Sequence, residues 1–121
     1  MAHSYFHAKS SQKTWGGKIE DYLPIHQKMD STKSAFAEFS HRAIFHSAFG
    51  VFLIEDIFGQ IIKNSDGKEV PVRAIAEQHC LEDHGFIPTL QDWLSKIPKE
   101  DWMFKKAKKL SKTLWTTRLK P

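Results

Sequence analysis

Between Ser31 and Phe58 the chain carries no proline and one glycine, and its apolar residues fall into two stripes. One holds Ala35, Phe39, Phe49, Leu53 and Ile57; the other holds Ile44, Phe45, Ala48, Val51, Phe52 and Phe58. Apolar positions three and four apart mark the buried face of a helix, and a helix apolar on nearly all sides is covered by its neighbours. With Asp30 or Ser31 as N-cap, the pattern predicts one long central helix over about 31–58, in which Gly50 would allow close backbone approach. The segment before it lacks this periodicity. Trp15-Gly16-Gly17 permits a sharp turn and Leu23-Pro24 favours extended backbone, so an irregular N-terminal wrap is expected, anchored by Tyr5, Phe6, Trp15, Tyr22, Leu23 and Ile25.

Gly59 can stop the long helix, and residues 60–70 place β-branched side chains on both sides of Asn64-Ser65-Asp66-Gly67, the pattern of a short β-hairpin. Pro71 suits the first turn of a further helix, Val72 to His84, which Gly85 closes. Pro88-Thr89 caps a shorter one, Leu90 to Lys96, which Pro98 ends. Trp102, Met103, Leu110, Leu114 and Trp115, set among lysines, predict a last amphipathic helix. The expected fold class is α+β, predominantly α, as one globular domain over 1–103 with a basic extension over 104–121. At 121 residues the chain is long enough for a single core.

One cysteine, Cys80, rules out an internal disulfide, and Met1 to His7 lacks the basic start and apolar run of a signal peptide, so a cytoplasmic protein is expected. The longest apolar stretch, 43–57, is interrupted by polar residues and too short for a membrane span, so no membrane partner is expected. The net charge of +4 is uneven: residues 99–121 hold eight basic and two acidic groups, leaving residues 1–98 slightly acidic. Any attraction to polyanions therefore resides in the tail.

Seven histidines change the picture, because each can titrate near neutral pH or bind a metal. Glu38 and His41, three apart, would share a helix face. A di-iron bundle needs that spacing twice, and it occurs once. His79 lies three residues from Glu82 and four from Asp83, so a helix there presents an imidazole and a carboxylate together. Packed against the long helix, it could join His41 or His46, which a separation of five turns about 140° apart at ~100° per residue. The candidate ligands are His41, His46, His79 and Asp83, with Glu38 and Glu82 in reserve, for a divalent ion such as zinc, manganese or iron. The competing reading makes these histidines hydrogen-bonded core residues, since His79 falls on the stripe Val72, Ile75, Ala76.

Other chemistries find less support. Cys80 adjoins His79, so on a helix their side chains diverge by about 100° and cannot act as a nucleophile–base pair. The Asn-Ser-Asp-Gly segment lacks the further ligands of a calcium loop, and no glycine pattern cradles a phosphate. Were the protein an enzyme, metal-assisted hydrolysis would be its class. Lys105, Lys106, Lys108, Lys109 and Lys112 could contact phosphates of a nucleic acid, or form a solvated charge run.

The segments Met1-Ala2-His3-Ser4-Tyr5-Phe6-His7-Ala8, Trp15-Gly16-Gly17, Glu20-Asp21-Tyr22-Leu23-Pro24-Ile25-His26 and His41-Arg42-Ala43 with His46 resemble a family of small uncharacterised proteins from bacteria and their phages. So do Asn64-Ser65-Asp66-Gly67, Val70-Pro71-Val72-Arg73, Glu77-Gln78-His79, Glu82-Asp83, and Ile87-Pro88-Thr89 with Asp92-Trp93. The resemblance covers residues 1 to about 103, leaves 104–121 as an extension, and supplies no function. Phage membership would favour a non-enzymatic accessory or inhibitor protein that engages a host protein or nucleic acid through the tail. That is the alternative to a histidine-rich binding domain with a divalent-metal site. A homo-oligomer is compatible with either.

Overall fold

The computed structural model describes residues 3–34, 39–96 and 98–104. Where an irregular wrap is expected, two helices stand, α1 (Ser4–Trp15) and α2 (Ile19–Met29). His3 caps α1, its Nδ1 accepting the Tyr5 N–H at 3.1 Å. The sharp turn does fall at Gly16-Gly17, both of positive φ. Pro24 lies inside α2, contrary to the extended reading of Leu23-Pro24. A proline costs the helix one ladder bond. Burial of Tyr22, Ile25, His26 and Met29, each at most 1% exposed, offsets that loss.

The long helix over 31–58 is not continuous. Short 3-10 turns span Ser31–Ser34 and Phe39–Ala43, the chain leaves helical geometry at 44–47, and α3 runs Ala48–Phe58. Ser47 causes the break: its backbone is extended, and its hydroxyl oxygen accepts the Gly50 N–H at 3.0 Å. Such a side-chain bond substitutes for the next helical one and begins a new helix instead of continuing the old. Gly50 does permit close approach, since a Cβ there would lie 2.4 Å from the Phe45 carbonyl.

Downstream the sequence reading holds. Strands β1 (Ile61–Lys63) and β2 (Glu69–Pro71) pair antiparallel with Ile62 opposite Val70. Helix α4 (Val72–His84) ends on left-handed Gly85, with Pro71 as its N-cap. Helix α5 (Leu90–Leu94), two residues shorter than expected, opens on reciprocal bonds between Thr89 and Asp92. Of the last amphipathic helix only a 3-10 turn, Asp101–Met103, falls within the described residues. The class is therefore predominantly α with a small antiparallel β element. Among the described residues no helix is long and apolar enough to cross a membrane.

Helix α4 is the hub, in contact with α1, α2 and α3. Its buried face, Val72, Ile75, Ala76, His79 and Cys80, meets Tyr22, Ile25 and Met29 of α2 and Val51 and Ile54 of α3 in one core. The hairpin turn clasps the α1–α2 corner. Asn64 Nδ2 donates to the Trp15 carbonyl and the Tyr22 hydroxyl, both at 3.1 Å, and Asp66 accepts the Gly17 N–H at 2.9 Å. Asp21 accepts both the backbone N–H and the hydroxyl of Ser65 at 2.8 Å. These bonds fix the start of α2 to the hairpin.

Candidate metal centre

Asp30 follows α2 as its C-cap, His46 sits in the break before α3, and His79 and Asp83 are one turn apart on α4. Packing brings the four together with one ligand atom from each within 4.8 Å of the others. His46 Nε2 is 3.0 Å from Asp83 Oδ2 and 3.4 Å from Asp30 Oδ1. His79 Nε2 is 3.2 Å from Asp30 Oδ1 and 3.3 Å from Asp83 Oδ2. Around an ion with bonds of ~2.0–2.1 Å, tetrahedral ligand atoms stand about 3.3–3.4 Å apart. These four imidazole–carboxylate separations are of the length that ligand atoms on one ion require, and the two remaining pairs lie within 4.8 Å. Three of the side chains are almost fully covered, and Asp30 is the most open at 13%.

A second layer holds the remaining atoms of three of the four. Asp30 Oδ2 accepts the Ser4 hydroxyl at 2.9 Å, and Asp83 Oδ1 lies 3.1 Å from His7 Nε2. His79 Nδ1 lies 2.8 Å from His26 Nδ1, and His26 Nε2 lies 2.8 Å from Ser11 Oγ. Among the described residues His46 Nδ1 is buried with no hydrogen-bond partner, while the His46 carbonyl accepts the Trp93 indole N–H at 2.8 Å. The His7 ring stacks on that of His79 with centroids 3.9 Å apart, and its Nδ1 reaches Glu82 at 2.7 Å.

The network assigns the protons. Gln78 Nε2 donates to the His7 carbonyl and to Glu82, so its Oε1 faces Ser11 Oγ at 2.7 Å. The single Ser11 hydrogen goes to an oxygen that can only accept, which leaves His26 Nε2–H to donate to Ser11. Burial, with His79 and His7 beside it, pushes the pKa of His26 down to about 2, so this ring is neutral and its Nδ1 accepts from His79 Nδ1–H. With its Nδ1–H given to His26, His79 turns Nε2 toward two carboxylate oxygens. That juxtaposition is repulsive unless a cation, a proton or a metal ion, stands among them.

Charge within the cluster runs the same way. Burial alone would raise Asp30 and Asp83, yet hydrogen bonds from His46 and His79 to both, and from His7 to Asp83, hold both carboxyls far below their ordinary range. Burial also pulls His46 and His7 down, and their carboxylate partners outweigh it, leaving both raised. Glu82 is lowered by its bonds to Ser10, His7 and Gln78 despite its burial. His84 is lowered by burial and by the neighbouring His46 and Arg42.

Of the expected ligands, the fold brings His46, His79 and Asp83 together. Glu82 sits one layer out on His7, and His41 stands apart in a 3-10 turn, its carbonyl accepting the Thr32 hydroxyl at 2.7 Å. Glu38 and the tail lysines Lys105, Lys106, Lys108, Lys109 and Lys112 lie outside the described residues. Asp30, His7 and His26 were not anticipated. Their signal was present: His26 and Asp30 are four apart, the same spacing as His79 and Asp83, and become visible as a pair once 19–29 is read as a helix.

Residues 2–103 match the family described as Domain of unknown function (DUF6915). No curated protein and no solved structure matches the chain.

Proposed function

The chain belongs to the DUF6915 family, whose function is unknown, and we propose from its own side chains that it is a small metal-binding domain. Asp30 Oδ1, His46 Nε2, His79 Nε2 and Asp83 Oδ2 hold one divalent ion, zinc by best fit. The observation that carries this reading is the pair of carboxylates converging on His79 Nε2 at 3.2 and 3.3 Å, with a second imidazole 3.0 and 3.4 Å from the same two oxygens. Two anionic oxygens and two neutral nitrogens balance a doubly charged ion, and tetrahedral sites of imidazole and carboxylate suit zinc better than manganese or iron(II), which favour more ligands. Ser4, His7 and His26 supply the outer contacts that orient ligands in metal sites. Four protein ligands, three of them covered, fit a closed site that holds an ion better than an open one that hydrolyses a substrate. A reducing, cytoplasmic setting agrees with Cys80, a buried free thiol with its pKa pushed up to about 12 by burial and nearby carboxylates.

The test is elemental analysis of the purified full chain, with melting curves in chelator and in zinc. One equivalent of zinc per chain is expected, with a gain of about 2.7 kcal/mol when free zinc reaches a hundred times its Kd. The variants Asp83→Asn and His79→Gln should lose both the metal and the zinc-induced gain. No stoichiometric metal, together with a melting curve indifferent to added zinc and manganese, would leave a hydrogen-bonded imidazole–carboxylate cluster and end the proposal.

A further inference from the structure

Helix α3 buries one side and leaves the other uncovered. Val51 and Ile54 enter the core, while Phe49 and Phe52 stay 47% and 59% exposed, their rings stacked with centroids 6.4 Å apart. Beside Phe52 a hollow of about 190 Å³ opens between α3 and α4, with Val51 and Ile87 on its walls. A cavity of about 150 Å³ accommodates benzene, so this one takes a single large apolar side chain.

The charge around this face has one sign. Glu55 lines the hollow and Asp56 stands one turn beyond Phe52, and neither carboxylate makes a hydrogen bond or ion pair among the described residues. Arg73, the cation lining the hollow, is paired with Glu77 at 3.4 Å, and α3 itself carries no basic residue. A second copy of the same face would set acid against acid, so the surface fits an apolar segment that is cationic.

The chain holds such a segment. Seventeen residues follow Phe104, seven of them basic and none acidic, and Leu110, Leu114 and Trp115 stand among them at the spacing of one helix face. Phe104 is ten residues beyond Leu94, the end of α5, and α5 packs on α3. Seventeen residues span about 25 Å as a helix and at most about 60 Å extended, against a radius of gyration of about 14 Å for a folded chain of this length, so the face is within reach.

We propose that residues 105–121 dock on the outer face of α3 of the same molecule, with Leu110, Leu114 and Trp115 on Phe49 and Phe52, one of them filling the hollow, and lysines beside Glu55 and Asp56. Burial of the phenylalanine pair supplies attraction, and the carboxylates select a basic occupant. None of the four proposed metal ligands takes part, so the docking stands or falls independently of the ion.

The experiment is NMR on the full chain labelled with carbon-13 and nitrogen-15, dilute and at low salt. Expected are NOEs from the Leu110 and Leu114 methyls or the Trp115 ring to the Phe49 and Phe52 rings, all within one molecule. Salt at about 0.5 M should weaken them by screening. The variant Lys108→Glu/Lys109→Glu/Lys112→Glu should lose them and shift the Phe52 and Asp56 amides, with the core NOEs of Ile54 and Ile75 unchanged. Phe52→Ser should shift the Trp115 indole N–H signal. A sample mixing labelled with unlabelled chains identifies the occupant, since NOEs between copies would give the face to a second molecule and overturn the proposal. It is equally overturned if no NOE joins the tail to α3, or if reversing the three charges leaves the contact intact.

Discussion

Ser11 makes no contact with the proposed ion, yet its hydroxyl ends the chain of bonds that fixes which nitrogen of His79 carries the proton. It is fully buried, and the His26 N–H has no other acceptor. Ser11→Ala should therefore cost about 1–3 kcal/mol, the penalty for a buried donor left unsatisfied, measured as a lower urea midpoint at unchanged slope. Zinc affinity should fall as well, because a His79 ring free to turn no longer holds Nε2 toward the carboxylates. Residue by residue, the sequence points to His79 and Asp83 because both stand on one helix, where spacing alone determines which side chains share a face. Asp30 suits the start of a helix but marks the end of one, and His7 and His26 stand on helices in a segment whose periodicity predicts none. Their approach to α4 depends on contacts across 49 to 76 residues, which local periodicity does not encode.

Elements bounded by glycine, proline or a capping threonine were read correctly: the hairpin, α4 with its Gly85 stop, and the Thr89 start of α5. Those punctuators act through backbone geometry and need no tertiary partner. Tertiary packing overrides local signals elsewhere. Pro24 is accommodated because α2 is wedged into the core, and the two stripes over 31–58 merged segments that Ser47 separates. The break matters for the site, since it takes His46 out of a helix and turns it toward α4. Gly50 makes that turn feasible, because its missing side chain lets α3 pass against the Phe45 backbone. Gly50→Ala should cost about 1–3 kcal/mol or more, the range for overpacking, and should reduce zinc affinity by displacing His46. Parent-like stability in a denaturant titration would show that the segment relaxes around the added methyl.

For the molecule as a whole, the charged cluster sets the pH response of the metal-free protein. His7 and His46 have raised folded pKa values, so their contribution is complete below the ordinary 6.5 and is lost as pH rises through those values. Asp30, Asp83 and Glu82 are lowered, so their contribution is complete above 3.8 to 4.5 and is lost as pH falls. His26, buried neutral, also favours the fold above 6.5 and loses that contribution as pH drops toward about 2. Melting temperature in chelator should thus pass through a maximum and decline above about pH 7. Zinc, standing in for the protons between the carboxylates, should remove the alkaline decline, so its stabilising increment should be larger at pH 8 than at pH 6. An increment independent of pH would contradict the proposed ligand set.

The hairpin divides the four donor residues evenly. A cut between Asp66 and Gly67, in the exposed turn, leaves Asp30 and His46 on one piece and His79 and Asp83 on the other. Each piece then owns one imidazole and one acid, half a coordination sphere. Mixed together, the two should co-elute on a sizing column when zinc is supplied and separate when it is stripped, which would turn the chain into a two-part reporter of the ion.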